Sequence, residues 1–130
     1  MRFFLDNMIS YKFALALRAV EKDVVALRER FPENTDDVDW IRTVAPEAPV
    51  IITVDRRIRS RPLERRELAE AKLIGLFLQP FFTKTSFQFW DQFVWLVRHW
   101  AGIEETVKGL ARGSCMALTQ NGKMHPLPHV

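Results

Sequence analysis

Four short apolar runs constrain most strongly how this chain folds. None of them alternates apolar with polar residues, so each predicts a strand that is buried on both faces. Segments with helical signals separate the runs, with Ser10 as an N-cap for one helix and Pro62 opening another. Strands alternating with helices predict a parallel sheet that helices cover on both sides. The four predicted strands are Phe3-Phe4-Leu5, Val24–Leu27, Val50–Val54 and Leu73–Leu78.

The last third of the chain has a different pattern. Residues 86–100 are rich in Phe and Trp and predict a largely buried helix, with Phe89, Phe93, Leu96 and Trp100 in the core. Asn121-Gly122 lies within the segment 114–127 and predicts the turn of a β-hairpin. The expected fold class is therefore α/β: a three-layer α/β/α sandwich with a mainly parallel four-stranded sheet, an aromatic C-terminal helix and a terminal β-hairpin. We expect residues 1–130 to form a single domain.

Glycine and cysteine usage excludes several kinds of site. All five glycines follow residue 74, so the N-terminal half contains neither a Walker A loop nor a Rossmann G-x-G-x-x-G turn. The single cysteine, Cys115, excludes an internal disulfide framework and a Cys-rich zinc site. Asp6 and Asn7 interrupt the apolar start before a signal-peptide core forms, and no run is long enough to span a membrane. These features predict a soluble cytoplasmic protein without a membrane partner.

Acidic residues follow two of the predicted strands and open one of the helices. Asp6 ends the first strand, Asp55 ends the third, and Asp36-Asp37 open the helix after the second. In a parallel sheet with strand order 2-1-3-4, Asp6 and Asp55 would lie roughly 5 Å apart at the carboxyl edge. Carboxylates that close repel each other, so a cation is expected between them, and hard oxygen ligands favour Mg²⁺ or Mn²⁺. Such a centre activates water for the displacement of a phosphodiester. The alternative for each acid alone is a capping role at a turn or helix.

Six arginines lie between residues 56 and 66, directly after Asp55. We expect Arg56, Arg57 and Arg59 to contact the phosphates of a nucleic acid, because guanidinium groups bind phosphate in bidentate fashion. For Arg65 and Arg66 the sequence favours a solvated helix face. Their expected ion-pair partners are Glu64, Glu67 and Glu70.

Three segments at these positions resemble the motifs of the PIN-like nucleases, and most of all the small PIN-like toxins of bacterial type II toxin–antitoxin systems. The segments are Arg2–Asn7, Asp37-Val38-Asp39-Trp40-Ile41 and Ile52–Ile58. The resemblance covers roughly residues 1–80. It implies a PIN-like α/β/α sandwich, an Mg²⁺- or Mn²⁺-dependent endoribonuclease with RNA as substrate, and a cognate antitoxin protein as partner.

The resemblance also assigns residues. Asp6, Asp37 and Asp55 match the acids that carry catalysis and bind the metal. Asn7 stands where relatives often have Glu, and Asp91, on the aromatic helix, is the candidate for a fourth metal-binding carboxylate. With these residues the predicted function is cleavage of RNA phosphodiesters by metal-activated water, as the toxin of a type II system.

Two other interpretations differ in class. One is a catalytically weak PIN-like module that binds RNA or protein. The other is a phosphotransferase of the haloacid-dehalogenase or receiver type, which is disfavoured because Met8 stands where the former has a second Asp. The apolar C-terminal third further predicts a possible homodimer, since an uncovered apolar face would form a large surface patch.

Overall fold

The computed structural model of the chain describes residues 1–54 and 62–127. Six β-strands and four α-helices lie within these residues. The strands are β1 (Phe3–Leu5), β2 (Val24–Ala26), β3 (Val50–Val54), β4 (Ile74–Leu78), β5 (Cys115–Leu118) and β6 (Met124–Pro126). The helices are α1 (Tyr11–Ala19), α2 (Asp37–Val44), α3 (Pro62–Glu70) and α4 (Phe89–Lys108).

All six strands form one sheet with the order β2-β1-β3-β4-β5-β6. The first five strands are parallel, and β6 runs antiparallel to β5. The predicted parallel sheet is confirmed, and its first four strands have the order 2-1-3-4, the condition under which Asp6 and Asp55 are expected to lie close together. The prediction of four strands is wrong, because the terminal hairpin extends the sheet: β5 pairs with β4, and Cys115 lies opposite Gly75.

Helices cover both faces of the sheet. On one face, Phe13 of α1 and Leu96 of α4 pack with Phe3 and Leu5 of β1. On the other face, Phe4 of β1 packs with side chains of α2 and α3, including Trp40, Ile41, Val44 and Leu68. Successive residues of β1 therefore point into two separate cores, which is why the strand is apolar throughout. The predicted α/β/α layering is confirmed.

The aromatic helix α4 is longer than predicted. It continues to Lys108, because Ile103 and Val107 extend its buried face at helical spacing. Phe89 was expected in the core, but its side chain is 54% exposed and contacts Phe13 at a ring-centroid distance of 4.8 Å. Within the described residues, no helix combines the length and the apolar character needed to cross a membrane.

The β5–β6 hairpin is fixed against the side of α4. The indole Nε1 of Trp95 donates a hydrogen bond of 2.8 Å to the carbonyl oxygen of Gln120, and the His99 ring contacts the Trp95 ring at 4.6 Å. Burial, together with the nearby charge of Arg98, lowers the pKa of His99. Gly122 in the turn has φ +83°, and a Cβ atom there would overlap Nδ1 of His99. The turn therefore requires glycine both for its backbone conformation and for its contact with the helix.

We predict that Gly122→Ala lowers the free energy of unfolding by about 1–2 kcal/mol or more, because alanine is strained at positive φ and its Cβ displaces His99. Gly102→Ala is the matched control. Gly102 lies inside α4 with open space around its Cα, so alanine there should stabilise the helix by up to about 1 kcal/mol. Urea unfolding of the two variants measures both effects, and equal stabilities would contradict the hairpin contact.

Candidate functional site

The carboxylate of Asp6 is fixed at the carboxyl edge of the sheet. Asp6 directly follows β1 and is only 7% exposed. Its Oδ1 accepts a hydrogen bond of 2.8 Å from the backbone N–H of Asn7, and its Oδ2 accepts one of 2.6 Å from the hydroxyl of Thr53. The backbone N–H of Asp6 donates to the carbonyl oxygen of Ile52 at 2.9 Å. The carboxylate is therefore held in one orientation by Thr53 of β3 and by the turn that follows β1.

Thr53 is the one polar side chain of β3. It is fully buried, and its hydroxyl spans from β3 to the acid that ends β1. A buried hydroxyl is stable only when it is hydrogen-bonded, so Thr53 and Asp6 satisfy each other. The position of a threonine in an otherwise aliphatic strand is thereby explained.

Asp37 is the first residue of α2. Its Oδ1 accepts a hydrogen bond of 3.0 Å from the indole Nε1 of Trp40, whose side chain is buried with 3% exposure. The indole thus anchors Asp37 to the core between the sheet and the helices α2 and α3. The N-terminus of α2 also favours the negative charge of Asp37. Like Asp6, Asp37 has a carboxylate that is oriented by a specific donor.

An acidic depression with a volume of about 300 Å³ lies between the start of α2 and the first turns of α3. Five of its six lining residues are acidic. They are Asp36, Asp37, Asp39, Glu64 and Glu67, and the sixth is Val38. Both helices begin at the carboxyl edge of a parallel sheet, which is where ligand sites form in such folds. The depression therefore concentrates negative charge at the edge to which Asp6 belongs.

Glu64 was missed as a candidate because the sequence suggested a solvated helix face for this part of α3. Instead, Glu64 is 4% exposed and Arg65 is 8% exposed, so that interpretation is wrong for these two residues, whereas Arg66 is exposed. This part of α3 packs against two other elements: Glu64 lies beside the start of α2, and Cys115 of β5 contacts the carbonyl oxygen of Arg65 at 3.8 Å. The only sequence signal was helical spacing, since Glu64 precedes the buried Leu68 by one helical turn.

Asp91 has a structural role in α4. Its Oδ2 accepts a hydrogen bond of 2.9 Å from the backbone N–H of Gln88, which caps the start of the helix. Its side chain is exposed, and α4 covers the opposite face of the sheet from α2 and α3. The assignment of Asp91 as a fourth metal ligand stays a prediction.

Four predicted site residues lie outside the described residues: Asp55, Arg56, Arg57 and Arg59. Within residues 1–54 and 62–127, no three His, Cys, Asp or Glu side chains are arranged so that they could hold a metal ion. The predicted metal set of Asp6, Asp37 and Asp55 therefore stays a prediction. The donors that the structure does describe are carboxylate oxygens, which fit Mg²⁺ or Mn²⁺.

Cys115 offers no nucleophile at neutral pH. Burial raises the pKa of its thiol to about 11, and this effect outweighs the opposing effect of the nearby Arg65 charge. The thiolate, which is the reactive form of cysteine, is therefore scarce near pH 7.

Comparison with known proteins identifies the N-terminal part of the chain. The family model of the PIN-like domain matches residues 1–80, which include β1 to β4 and the acids Asp6, Asp37 and Asp55. Neither a curated protein nor a solved structure matches the chain.

We predict that Thr53→Val lowers the free energy of unfolding by about 1–3 kcal/mol, because the buried carboxylate of Asp6 loses a hydrogen-bond donor. Valine has nearly the shape of threonine, so packing is conserved. The measurement is urea unfolding, repeated in an Asp6→Ala background to isolate the pair.

Thr53→Ser is the matched control, since it retains the hydroxyl and loses only a methyl group, at a cost of about 0.8 kcal/mol. In the Asp6→Ala background the cost of Thr53→Val should shrink. An unchanged cost would show that the hydroxyl of Thr53 does not act through Asp6.

Proposed function

Because the chain belongs to the PIN-like domain family, whose model matches 80 of its 130 residues, we propose that it is a metal-dependent endoribonuclease. We further propose that it is the toxin of a type II toxin–antitoxin system, active in the cytoplasm and inhibited by a cognate antitoxin protein. The observation that carries the proposal is the carboxylate of Asp6, which is buried at the carboxyl edge of a parallel sheet and oriented by two hydrogen bonds.

Asp6, Asp37 and Asp55 would hold Mg²⁺ or Mn²⁺ in this proposal. When bound, such an ion supplies positive charge to the scissile phosphate and lowers the pKa of a bound water. The protein contributes the position of the ligands. Thr53 and Asn7 orient Asp6, and Trp40 orients Asp37, so neither carboxylate has to be ordered when the ion and the RNA bind.

Glu64 is a second candidate for a fourth carboxylate, beside Asp91. It lines the acidic depression together with Asp37 and lies on the same face of the sheet. Asp91 begins a helix on the other face and caps it. The alternative for Glu64 is stabilisation of the N-terminus of α3 by its negative charge. The two candidates make different predictions for metal affinity.

Arg56, Arg57 and Arg59 would hold the RNA backbone beside these acids. A polyanion is repelled by the acidic depression, and the positive charges that follow Asp55 in sequence offset this repulsion. The function would then divide between carboxylates that bind the ion and guanidinium groups that bind phosphate.

A second candidate function is a catalytically weak PIN-like module that binds RNA or protein. Two observations favour it: Asn7 stands where relatives often carry a Glu, and the carboxylate of Asp91 is engaged in a helix cap. Both reduce the number of carboxylates that are available to a metal ion. Calorimetry with Mg²⁺ and Mn²⁺ separates the two functions, since RNA binding without metal binding favours the module.

We predict that Asp6→Asn, Asp37→Asn and Asp55→Asn each reduce Mn²⁺-dependent cleavage of single-stranded RNA by roughly 100-fold or more, since each removes a charge that acts on the reacting phosphate. Glu33→Gln is the matched control, because it removes one exposed carboxylate from the loop before α2. Full activity in both Asp6→Asn and Asp55→Asn would exclude the proposed metal site.

Calorimetry with Mn²⁺ distinguishes the two candidates for the fourth ligand. If Glu64 holds the ion, Glu64→Gln should weaken Mn²⁺ binding measured by calorimetry, and Asp91→Asn should leave it unchanged. The opposite result would assign the role to Asp91.

We predict that Arg56→Ala and Arg57→Ala each weaken binding of a single-stranded oligoribonucleotide and lower the slope of log K against log salt by about 0.7, the contribution of one phosphate contact. Binding is measured in EDTA, so that cleavage does not interfere. Arg112→Ala is the matched control, because Arg112 is exposed just before β5, at the amino edge of the sheet. A slope that changes equally in all three variants would contradict the assignment.

A further inference from the structure

Helix α4 has a second apolar face, which is exposed. The side chain of Trp90 is 71% exposed, that of Val97 is 52% exposed and that of Val94 is 40% exposed, and Ala101 is also exposed. We call Trp90, Val94, Val97 and Ala101 the α4 stripe. Large exposed apolar patches on a protein of this size commonly mark interaction surfaces.

The spacing of the α4 stripe is that of a helix–helix seam. Its residues follow one another at intervals of four, three and four, which keeps them in a line along the helix. The buried face of α4, with Leu96 and Ile103, points into the core on another side of the helix. The stripe is therefore a narrow ridge that is available to one further helix.

The α4 stripe is complementary to itself when two copies of the helix run antiparallel. Around a two-fold axis midway between Val94 and Val97, each of these valines faces the other in the second copy. Trp90 then lies opposite Ala101, so the largest side chain of the stripe meets the smallest. This alternation fills the space between two helices without a clash.

Charge favours the same arrangement. Asp91 and Arg98 are exposed, lie two helical turns apart and flank the stripe on the same side. In an antiparallel helix pair, the same side of each helix faces its counterpart. Asp91 of one copy therefore approaches Arg98 of the other, and the two-fold axis repeats this contact. The cap of α4 uses Oδ2 of Asp91, and a carboxylate accepts several hydrogen bonds. In a parallel pair this flank would face the side that carries Phe93 instead.

We propose that the α4 stripe is a homodimer interface, in which a second copy of this chain packs its α4 antiparallel across the two-fold axis. The proposal is independent of the proposed nuclease activity. From Trp90 to Ala101 the stripe is about 16 Å long, which is short compared with interfaces that bury roughly 800 Å² per partner, so the contact is expected to be weak. A dimer that dissociates at micromolar concentration is expected.

Sedimentation velocity of the full chain tests the proposal, from about 1 to about 200 μM at physiological salt. We expect a monomer–dimer equilibrium within this range. Val97→Glu should raise the dissociation constant by more than about tenfold, because it buries a charge in the seam. Leu15→Glu is the matched control, since Leu15 is exposed on α1 and outside the stripe, and it should have no effect. A chain that is monomeric at the highest concentration, or equal effects of the two variants, would overturn the proposal.

A size exchange tests the register. Ala101→Trp adds apolar surface and would strengthen a nonspecific association. In the proposed dimer, however, it places tryptophan opposite tryptophan and should weaken dimerisation. Combining it with Trp90→Ala restores one large and one small residue in each pair and should restore the dimer. Arg98→Glu should weaken dimerisation too, because it places Glu opposite Asp91. Stronger association of Ala101→Trp, or no rescue by the double variant, would overturn the antiparallel register.

Discussion

The parallel pairing of β1 with β3 is the constraint on which the rest of the structure depends. Both strands are buried on both faces, so their backbone groups can be satisfied only by neighbouring strands. Parallel neighbours require crossovers, and the crossovers place helices on the two faces. The same constraint gives all parallel strands a common carboxyl edge. The position of the candidate site at this edge therefore follows from how the buried backbone groups form their hydrogen bonds.

The acid that ends β1 shows how closely the core and the candidate site are joined. Asp6 is nearly as buried as the strand before it, and its partner Thr53 belongs to the core of the sheet. A buried carboxylate is tolerated because donors surround it, and those donors also fix where its charge points. The same two hydrogen bonds thus stabilise the buried carboxylate and orient it, which is the preorganisation that the proposed metal site would use.

Local patterns predicted the elements whose signals are local. The apolar runs predicted the first four strands, and Ser10 caps α1 as expected, whereas the strand order is not contained in any local pattern. The strand β5 was assigned only to a hairpin, since Cys115–Leu118 has weak strand propensity and becomes the fifth strand of the parallel sheet through pairing with β4. Glu64 and Arg65 lie where α3 packs against α2 and against that strand, and their burial was missed too. The errors in the candidate site thus came from contacts between residues that are far apart in sequence, and the spacing of residues along the chain does not predict such contacts.

The several possible roles of Asp91 restrict one another. Its carboxylate caps α4, and in the proposed dimer it faces Arg98 of the second copy, on the solvent side of the helix. A metal ligand at the carboxyl edge would need the same carboxylate to point elsewhere. Glu64 has no such conflict with the dimer. It belongs to α3, which covers the other face of the sheet, and it lines the acidic depression. A dimer through α4 therefore favours a site in which any fourth carboxylate comes from α3.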